Sequence, residues 1–205
     1  MSYLKELKTI LDEKQFVNEL NKKLNNNGVI AFVTDTVWGL GCLPTCKDAV
    51  NRIYEIKGRD RTKPLILMSN EYKNLEPYIK QPTKKVKTLI EKHFPGALTV
   101  VVEKAEKTPL SITSNKNTVG IRIPKNEFFK KLCSVIDGKV LATTSANLSN
   151  QPSSKNYEEA TSSIGGLVDY IFEDYGEKAK GLESTVVLAI NDEIKVLRQG
   201  AVIID

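Results

Sequence analysis

The apolar residues of this chain come in short runs rich in β-branched side chains, separated by polar stretches with helical spacing. The longest runs, Val29–Val33 and Val186–Ile190, are about five residues. Runs of that length suit buried strands and are far too short to span a bilayer. Strands are predicted at 28–33, 64–68, 98–103, 119–123, 140–144, 167–172, 184–190 and 194–197. Helices are predicted at 12–26, 47–56, 83–93 and 126–136, from apolar residues recurring on one side. Asn191-Asp192 sits between the last two strands as a hairpin turn. Strands alternate with helices in the first part of the chain and pair locally later. That order predicts an α/β fold with a mixed sheet rather than a purely doubly wound one. The 205 residues, 40% hydrophobic and 27% charged, are enough for one domain with a real core.

Charge narrows the class of partner. The formal net charge is +5, and it is placed unevenly. Residues 47–92 hold twelve cations and six anions, while the rest holds eighteen and nineteen. Basicity confined to one stretch points to a local anion, because non-specific nucleic-acid binding uses a broader positive face. A single histidine, His93, excludes multi-histidine metal sites. Cys42, Cys46 and Cys133 are an odd set in a chain that needs no staples, so small buried thiols are expected rather than a disulfide framework or a Cys3His zinc site. The first fourteen residues lack the apolar core of a signal peptide, and the chain reads as cytoplasmic.

Two phosphate motifs nearly fit. Gly39-Leu-Gly41 opens a dinucleotide fingerprint that fails at Pro44. Gly176 and Gly181 have P-loop spacing, but Leu182 and Glu183 follow where lysine and a hydroxyl residue are required. His93 has no nucleophile motif beside it, and no G-x-S-x-G is present.

Several polar clusters remain. The densest is Lys57-Gly58-Arg59-Asp60-Arg61-Thr62-Lys63-Pro64, with four cations in seven residues after a helix end. As a generic run it is a solvated loop favoured by the helix dipole. Gly58 and Pro64 add a tight entry and a stiff exit, so the loop can aim alternate cations at a polyphosphate. Thr143–Ser149 leaves the end of a buried strand, where polar residues either line a ligand crevice or cap a helix. Thr34-Asp35-Thr36 leaves another strand and enters what reads as a glycine-flexed turn. Glu183-Ser184-Thr185 opens a strand, and Arg198 lies at a strand end. Arg122 falls inside an apolar strand, so it needs an internal carboxylate or an anionic ligand.

Taken together, VIAFVTDTVWGLGC, AVNRIYEIKGRDRTKPLIL, FPGALTVVV, TVGIRIP, TTSANLSNQPSS, GLESTVV and VLRQG resemble the YrdC/TsaC family of L-threonylcarbamoyladenylate synthases, in the family's order from about residue 12 to 200. The resemblance implies a twisted mixed parallel and antiparallel sheet flanked by helices, with a concave, positively charged cavity. It implies a nucleotidyltransferase that converts L-threonine, bicarbonate or CO2 and ATP into threonylcarbamoyl-AMP and pyrophosphate, with Mg2+ accompanying ATP and no tightly bound cofactor. It also implies partner proteins that receive the adenylate for tRNA modification, weak contact with tRNA as an accompaniment, and no membrane. Position by position, Lys57 and Arg59 match the family's K-x-R pair, and Ser145 and Asn147 its S-x-N pair; these four form the expected catalytic group. Lys63, Thr118, Ser153 and Arg198 fall where the family contacts ATP, together with Arg59 and Ser145. Thr36, Arg122, Thr143 and Ser184 fall where it contacts threonine. Met68 stands where longer members have a threonine-contacting histidine, and Gln199 replaces the proline of their R-P-G. The sequence ends at Asp205, so a single domain over 1–205, of the short bacterial type without the longer members' extra C-terminal domain, is expected. Two other classes compete: a carbamoyl-phosphate-handling carbamoyl-transfer domain like that of hydrogenase maturation, and a non-catalytic RNA-binding module of the same fold.

Overall fold

The short apolar runs supply nine strands of one mixed sheet. The structure, a computed structural model, describes residues 8–204; residues 1–7, part of the segment read above for a signal peptide, lie outside the described residues. The strands are β1 (Ile30–Phe32), β2 (Gly39–Cys42), β3 (Ile66–Ser69), β4 (Leu98–Glu103), β5 (Thr118–Arg122), β6 (Val140–Ser145), β7 (Tyr170–Ile171), β8 (Thr185–Ile190) and β9 (Glu193–Arg198). Their spatial order is β7-β1-β2-β6-β3-β5-β4-β8-β9. β1/β7, β3/β5 and β4/β8 pair in parallel, and the other neighbours are antiparallel. The helices are α1 (Lys14–Asn25), α2 (Lys47–Lys57), α3 (Tyr72–Leu75), α4 (Lys84–His93), α5 (Leu110–Thr113), α6 (Glu127–Val135) and α7 (Tyr157–Ile164). The mixed α/β architecture is the one expected.

Short polar side chains satisfy free backbone N–H groups at the starts of α4, α6 and α7, whereas α1 and α2 begin without a side-chain cap. Asn126 Oδ1 accepts from the Phe129 amide at 2.7 Å to open α6, and Asn156 Oδ1 from the Glu159 amide at 2.8 Å to open α7. α7 was not expected from the sequence. Only Ala160 and Ile164 of its eight residues are buried, so it carries too little apolar periodicity to read. The short α3 and α5 were missed for the same lack of length.

Residues 39–42 form a strand, not the turn expected from their glycines. Glycine is a poor strand former in isolation, but here it serves close approach. The Phe32 ring lies across β2, and a Cβ on Gly39 would sit 2.6 Å from it. The strand expected at 167–172 is confined to Tyr170–Ile171. The last hairpin turns at Asn191 and Asp192 as expected, both at positive φ (52° and 64°), the geometry a two-residue hairpin loop demands.

Side chains alternate across a strand, so one face of the sheet packs on the core while the other builds a cavity. Leu67, Val100, Val102, Val119 and Ile121 are buried in the core. The intervening Ile66, Met68, Thr99, Val101, Thr118, Gly120 and Arg122 line the cavity. Register aligns them: Ile66 faces Gly120 on one side and Thr143 on the other, and Val101 faces Gly120 and Leu188. At the sheet edge the alternation breaks. Val186 is opposite Arg198 and Val187 opposite Val196, which leaves Leu197 as the extra residue of a bulge. Leu197 and Arg198 therefore both reach the cavity, although they are neighbours in sequence.

Candidate active site

The cavity has a volume of about 460 Å3, within the range for a small-molecule site. Its polar side chains come from four strands, β4, β5, β6 and β9, and from the loops after β1, after α2, before β5 and before β8. Of the residues expected at ATP, Arg59, Thr118, Ser145 and Arg198 line it; of those expected at threonine, Thr36, Arg122, Thr143 and Ser184 do. Met68 also lines it.

Four expected residues lie elsewhere. Lys57, the last residue of α2, is 2% exposed and sits behind the cavity wall. Its Nζ donates to the carbonyls of Ser145 and Asn147, and to Asn147 Oδ1 at 3.1 Å. Burial, and then the nearby Arg59 charge, pull its pKa from 10.5 down to about 7, while Glu183 pushes it up. Asn147 is itself buried. Its Oδ1 also accepts from Ser145 Oγ at 2.6 Å, and its amide nitrogen donates to the carbonyls of Leu148 and Gln151. Lys57 and Asn147 thus fix the end of β6 from behind, and Ser145 is the member of that group that lines the cavity. Ser153 lies beside the cavity and donates to Glu183 Oε1 at 2.7 Å. Lys63 is exposed and outside the lining.

The basic run does not aim its cations one way. Gly58 caps α2 at φ 55°, and the chain then diverges. Arg59 turns into the cavity, with Nε on the Lys63 carbonyl (3.1 Å) and Nη2 on the Pro64 carbonyl (3.2 Å). Partial burial lowers its pKa from the usual arginine value. Arg61 lies 5.6 Å over the Tyr54 ring and bonds Asn51, away from the lining. The expectation that Lys57, Arg59 and Lys63 act together on one side is corrected accordingly. A helix end and a left-handed glycine place successive odd residues in different directions.

Arg122 finds the internal partner that its burial required. It is 2% exposed. Nη2 meets Asp35 Oδ1 at 2.6 Å, Nη1 donates to Thr36 Oγ1 at 2.8 Å, and Nε donates to the Gly96 carbonyl at 3.0 Å. Burial lowers its pKa, and Asp35 opposes that shift. A guanidinium has five N–H groups, so two remain beyond these bonds. Asp35 itself is placed by the loop after β1, where Thr34 Oγ1 donates to the Val37 carbonyl (2.6 Å) and accepts from the Thr36 amide (3.2 Å). On the neighbouring strand β4, Thr99 Oγ1 pairs with Ser184 Oγ at 2.8 Å.

Sequence reasoning missed Asp35, Thr99, Lys116 and Glu183. Thr99 carried a readable signal, a hydroxyl second in an otherwise apolar strand. Asp35 stood in the quoted Thr-Asp-Thr segment without a role. Glu183 stood in the quoted Glu-Ser-Thr cluster and as a residue that spoils a P-loop, without a role in the cavity. His93, at the end of α4, is not part of the lining. Burial pushes the Cys42 and Cys133 thiols well above their ordinary pKa, so they are inert. Among the described residues no three His, Cys, Asp or Glu side chains converge as a metal site, and no helix is long and apolar enough to cross a membrane.

Comparison with known proteins agrees with this geometry. The threonylcarbamoyl-AMP synthase of Pyrococcus abyssi is 36% identical over 159 residues, 78% of this chain and 46% of that protein. The threonylcarbamoyl-AMP synthase of Vibrio vulnificus is 32% identical over 170 residues, 82% of this chain and 91% of that protein. The crystal structure of P. abyssi Sua5 complexed with L-threonine superposes with a TM-score of 0.84 at 32% identity, over 92% of this chain and 55% of that one. The chain spans about half the length of the first curated relatives it matches. The family model described as telomere recombination covers residues 22–200, from α1 to just past β9, and with that span the chain belongs to the Sua5/YciO/YrdC family.

Proposed function

We propose that the chain is a threonylcarbamoyl-AMP synthase, forming threonylcarbamoyl-AMP and pyrophosphate from L-threonine, bicarbonate or CO2, and ATP. The observation that carries this reading is that one cavity collects two kinds of polar group. Arg59, Thr118, Ser145 and Arg198 suit a polyphosphate, while Arg122, Thr36, Thr143 and Ser184 suit a hydroxylated amino acid.

The chemistry asks little of the protein beyond placement. The threonine amine adds to CO2 and loses a proton, which gives a carbamate. A carbamate oxygen attacks the α-phosphorus, the bond to the bridging oxygen breaks, and pyrophosphate leaves with that electron pair. No protein nucleophile is needed, in keeping with a lining without histidine or cysteine. Catalysis is then orientation of two anions and neutralisation of charge on the phosphates. Arg59 and Arg198 supply cations for the polyphosphate, and the two spare N–H groups of Arg122 match a carboxylate. Lys57 and Asn147 are positioning residues that hold Ser145, and Ser153 lies beside the cavity on Glu183. Magnesium enters as the counter-ion of ATP, since the lining offers one carboxylate, Glu183, and no cage. The adenylate would pass, in the cytoplasm, to proteins that transfer its threonylcarbamoyl group to adenosine in tRNA, with weak tRNA contact as an accompaniment.

The test is pyrophosphate release from ATP with threonine and bicarbonate omitted in turn. Release should require both. Release that ignores threonine would overturn the reading.

A further inference from the structure

Glu183 has no part in the reaction derived above, yet its carboxylate occupies two of the groups assigned to the nucleotide. Oε2 is ion-paired with Arg198 Nη1, and Oε1 accepts from Ser153 Oγ at 2.7 Å. Arg198 is further tied by Nη2 to the Ser184 carbonyl at 2.9 Å and to Ser184 Oγ at 3.4 Å. The bulge at Leu197 turns this arginine into the cavity, and Glu183 is the carboxylate of the cavity lining. An arginine fork and a hydroxyl are what a non-bridging phosphate oxygen would take. A carboxylate on the same donors is therefore a rival to that oxygen, and it repels the phosphate until it moves.

We propose that Glu183 is a built-in competitor for the polyphosphate, one that sets the affinity of the cavity for ATP and for pyrophosphate. This rests on the reading of the cavity as a nucleotide site. When a polyphosphate arrives, Arg198 and Ser153 change partner from Glu183 to phosphate oxygens; when pyrophosphate departs, Glu183 returns to them. The exchange is cheap because the ion pair is half open to water, with Arg198 46% and Glu183 35% exposed at the side chain, and such pairs contribute little net stability. The competitor thus lowers affinity without locking the cavity, and it favours release of a product that carries the same groups as the substrate. Asp35 does not serve this way: it is buried against Arg122.

The experiment is calorimetric titration of wild type, Glu183→Gln and Arg198→Ala with a non-hydrolysable ATP analogue and with pyrophosphate, each with and without Mg2+. Emission of Trp38, the single tryptophan and a lining residue, gives a second readout. Glu183→Gln should bind both ligands about fivefold more tightly, with or without Mg2+. Glu183→Ala, which removes the hydrogen bonds as well as the charge, should do the same. Urea unfolding of each variant separates a binding change from a loss of fold. Unchanged affinity in both Glu183 variants overturns the proposal. So does weaker binding confined to the Mg2+ arm, which would make Glu183 a metal ligand. Arg198→Ala distinguishes the underlying reading: if it leaves ATP affinity unchanged, the placement of the polyphosphate fails, whatever Glu183 does.

Discussion

Asp35 and Arg122 meet at 2.6 Å with their side chains 10% and 3% exposed, so the only arginine on β5 is paired from the loop after β1. The two residues are far apart in sequence, and their strands are not neighbours in the sheet. The pair therefore ties the Arg122 side of the cavity, proposed above for threonine, across several strands. Breaking it by removing one partner leaves an uncompensated buried charge, which typically costs about 3–5 kcal/mol. Asp35→Ala should lose stability of that order in urea unfolding. Asp35→Asn keeps the volume and an acceptor, so it should fold better than the alanine variant. With Arg122 less firmly held, its threonine KM should rise by more than its kcat falls. An unchanged KM in a folded Asp35→Asn protein would remove Asp35 from the positioning of Arg122.

Lys57 gives a pH dependence whose sign is fixed by its burial. In the unfolded chain it titrates near 10.5, and in the folded protein near 7. Below about pH 7 both states hold the proton and the folded one bears a buried ammonium. Between about 7 and 10.5 the unfolded chain holds the proton that the folded protein has released. The contribution of Lys57 to stability therefore increases as pH rises through that window and is lost as pH falls back through it, the loss being complete near pH 7. The urea midpoint of wild type should gain on that of Lys57→Met between pH 7 and pH 9. Parallel pH profiles for the two proteins would contradict it.

The basic run makes a contrast between neighbours. Arg59 lines the cavity, whereas Arg61 lies on the Tyr54 ring outside it. Arg59→Ala should lose at least about tenfold in kcat/KM, or about 1.4 kcal/mol of transition-state stabilisation. Arg61→Ala should stay within about twofold of wild type. Steady-state pyrophosphate release on both variants checks the pair, and equal losses would mean that bulk charge rather than aim matters.

Much of this was legible in the sequence, for a physical reason. Strands and long helices announce themselves through apolar period and caps, and β4, β6, α4 and α6 fell within a residue or two of their expected limits. Arg122 was legible because a charge inside an apolar strand must be paired. Its partner was not, because nothing local connects Asp35 to β5. The direction of a side chain after a helix end was equally hidden, so Lys57 and Lys63 were expected in the cavity and are not in its lining. β2 was hidden by its glycines, whose use depends on the Phe32 ring. Leu197 and Arg198 share the cavity through a bulge that sequence alternation cannot show.

Gly120 offers a last prediction, on the floor of the cavity. It sits between Ile66 and Val101 in the register of the sheet. A Cβ there would lie 2.7 Å from Ile66 Cγ2 and 3.4 Å from Thr99 Cγ2. The first distance is a clash with a β-branched side chain, which has little rotamer freedom to yield. Gly120→Ala should therefore destabilise by about 1–3 kcal/mol, the usual cost of overpacking. The mechanism is separable from any general intolerance of the strand. Ile66→Ala removes the atom that is struck, so the double variant should recover at least about 1 kcal/mol relative to the sum of the single changes. A double-mutant cycle in urea measures that coupling. Additive losses would mean that the glycine is required for some reason other than the approach of Ile66.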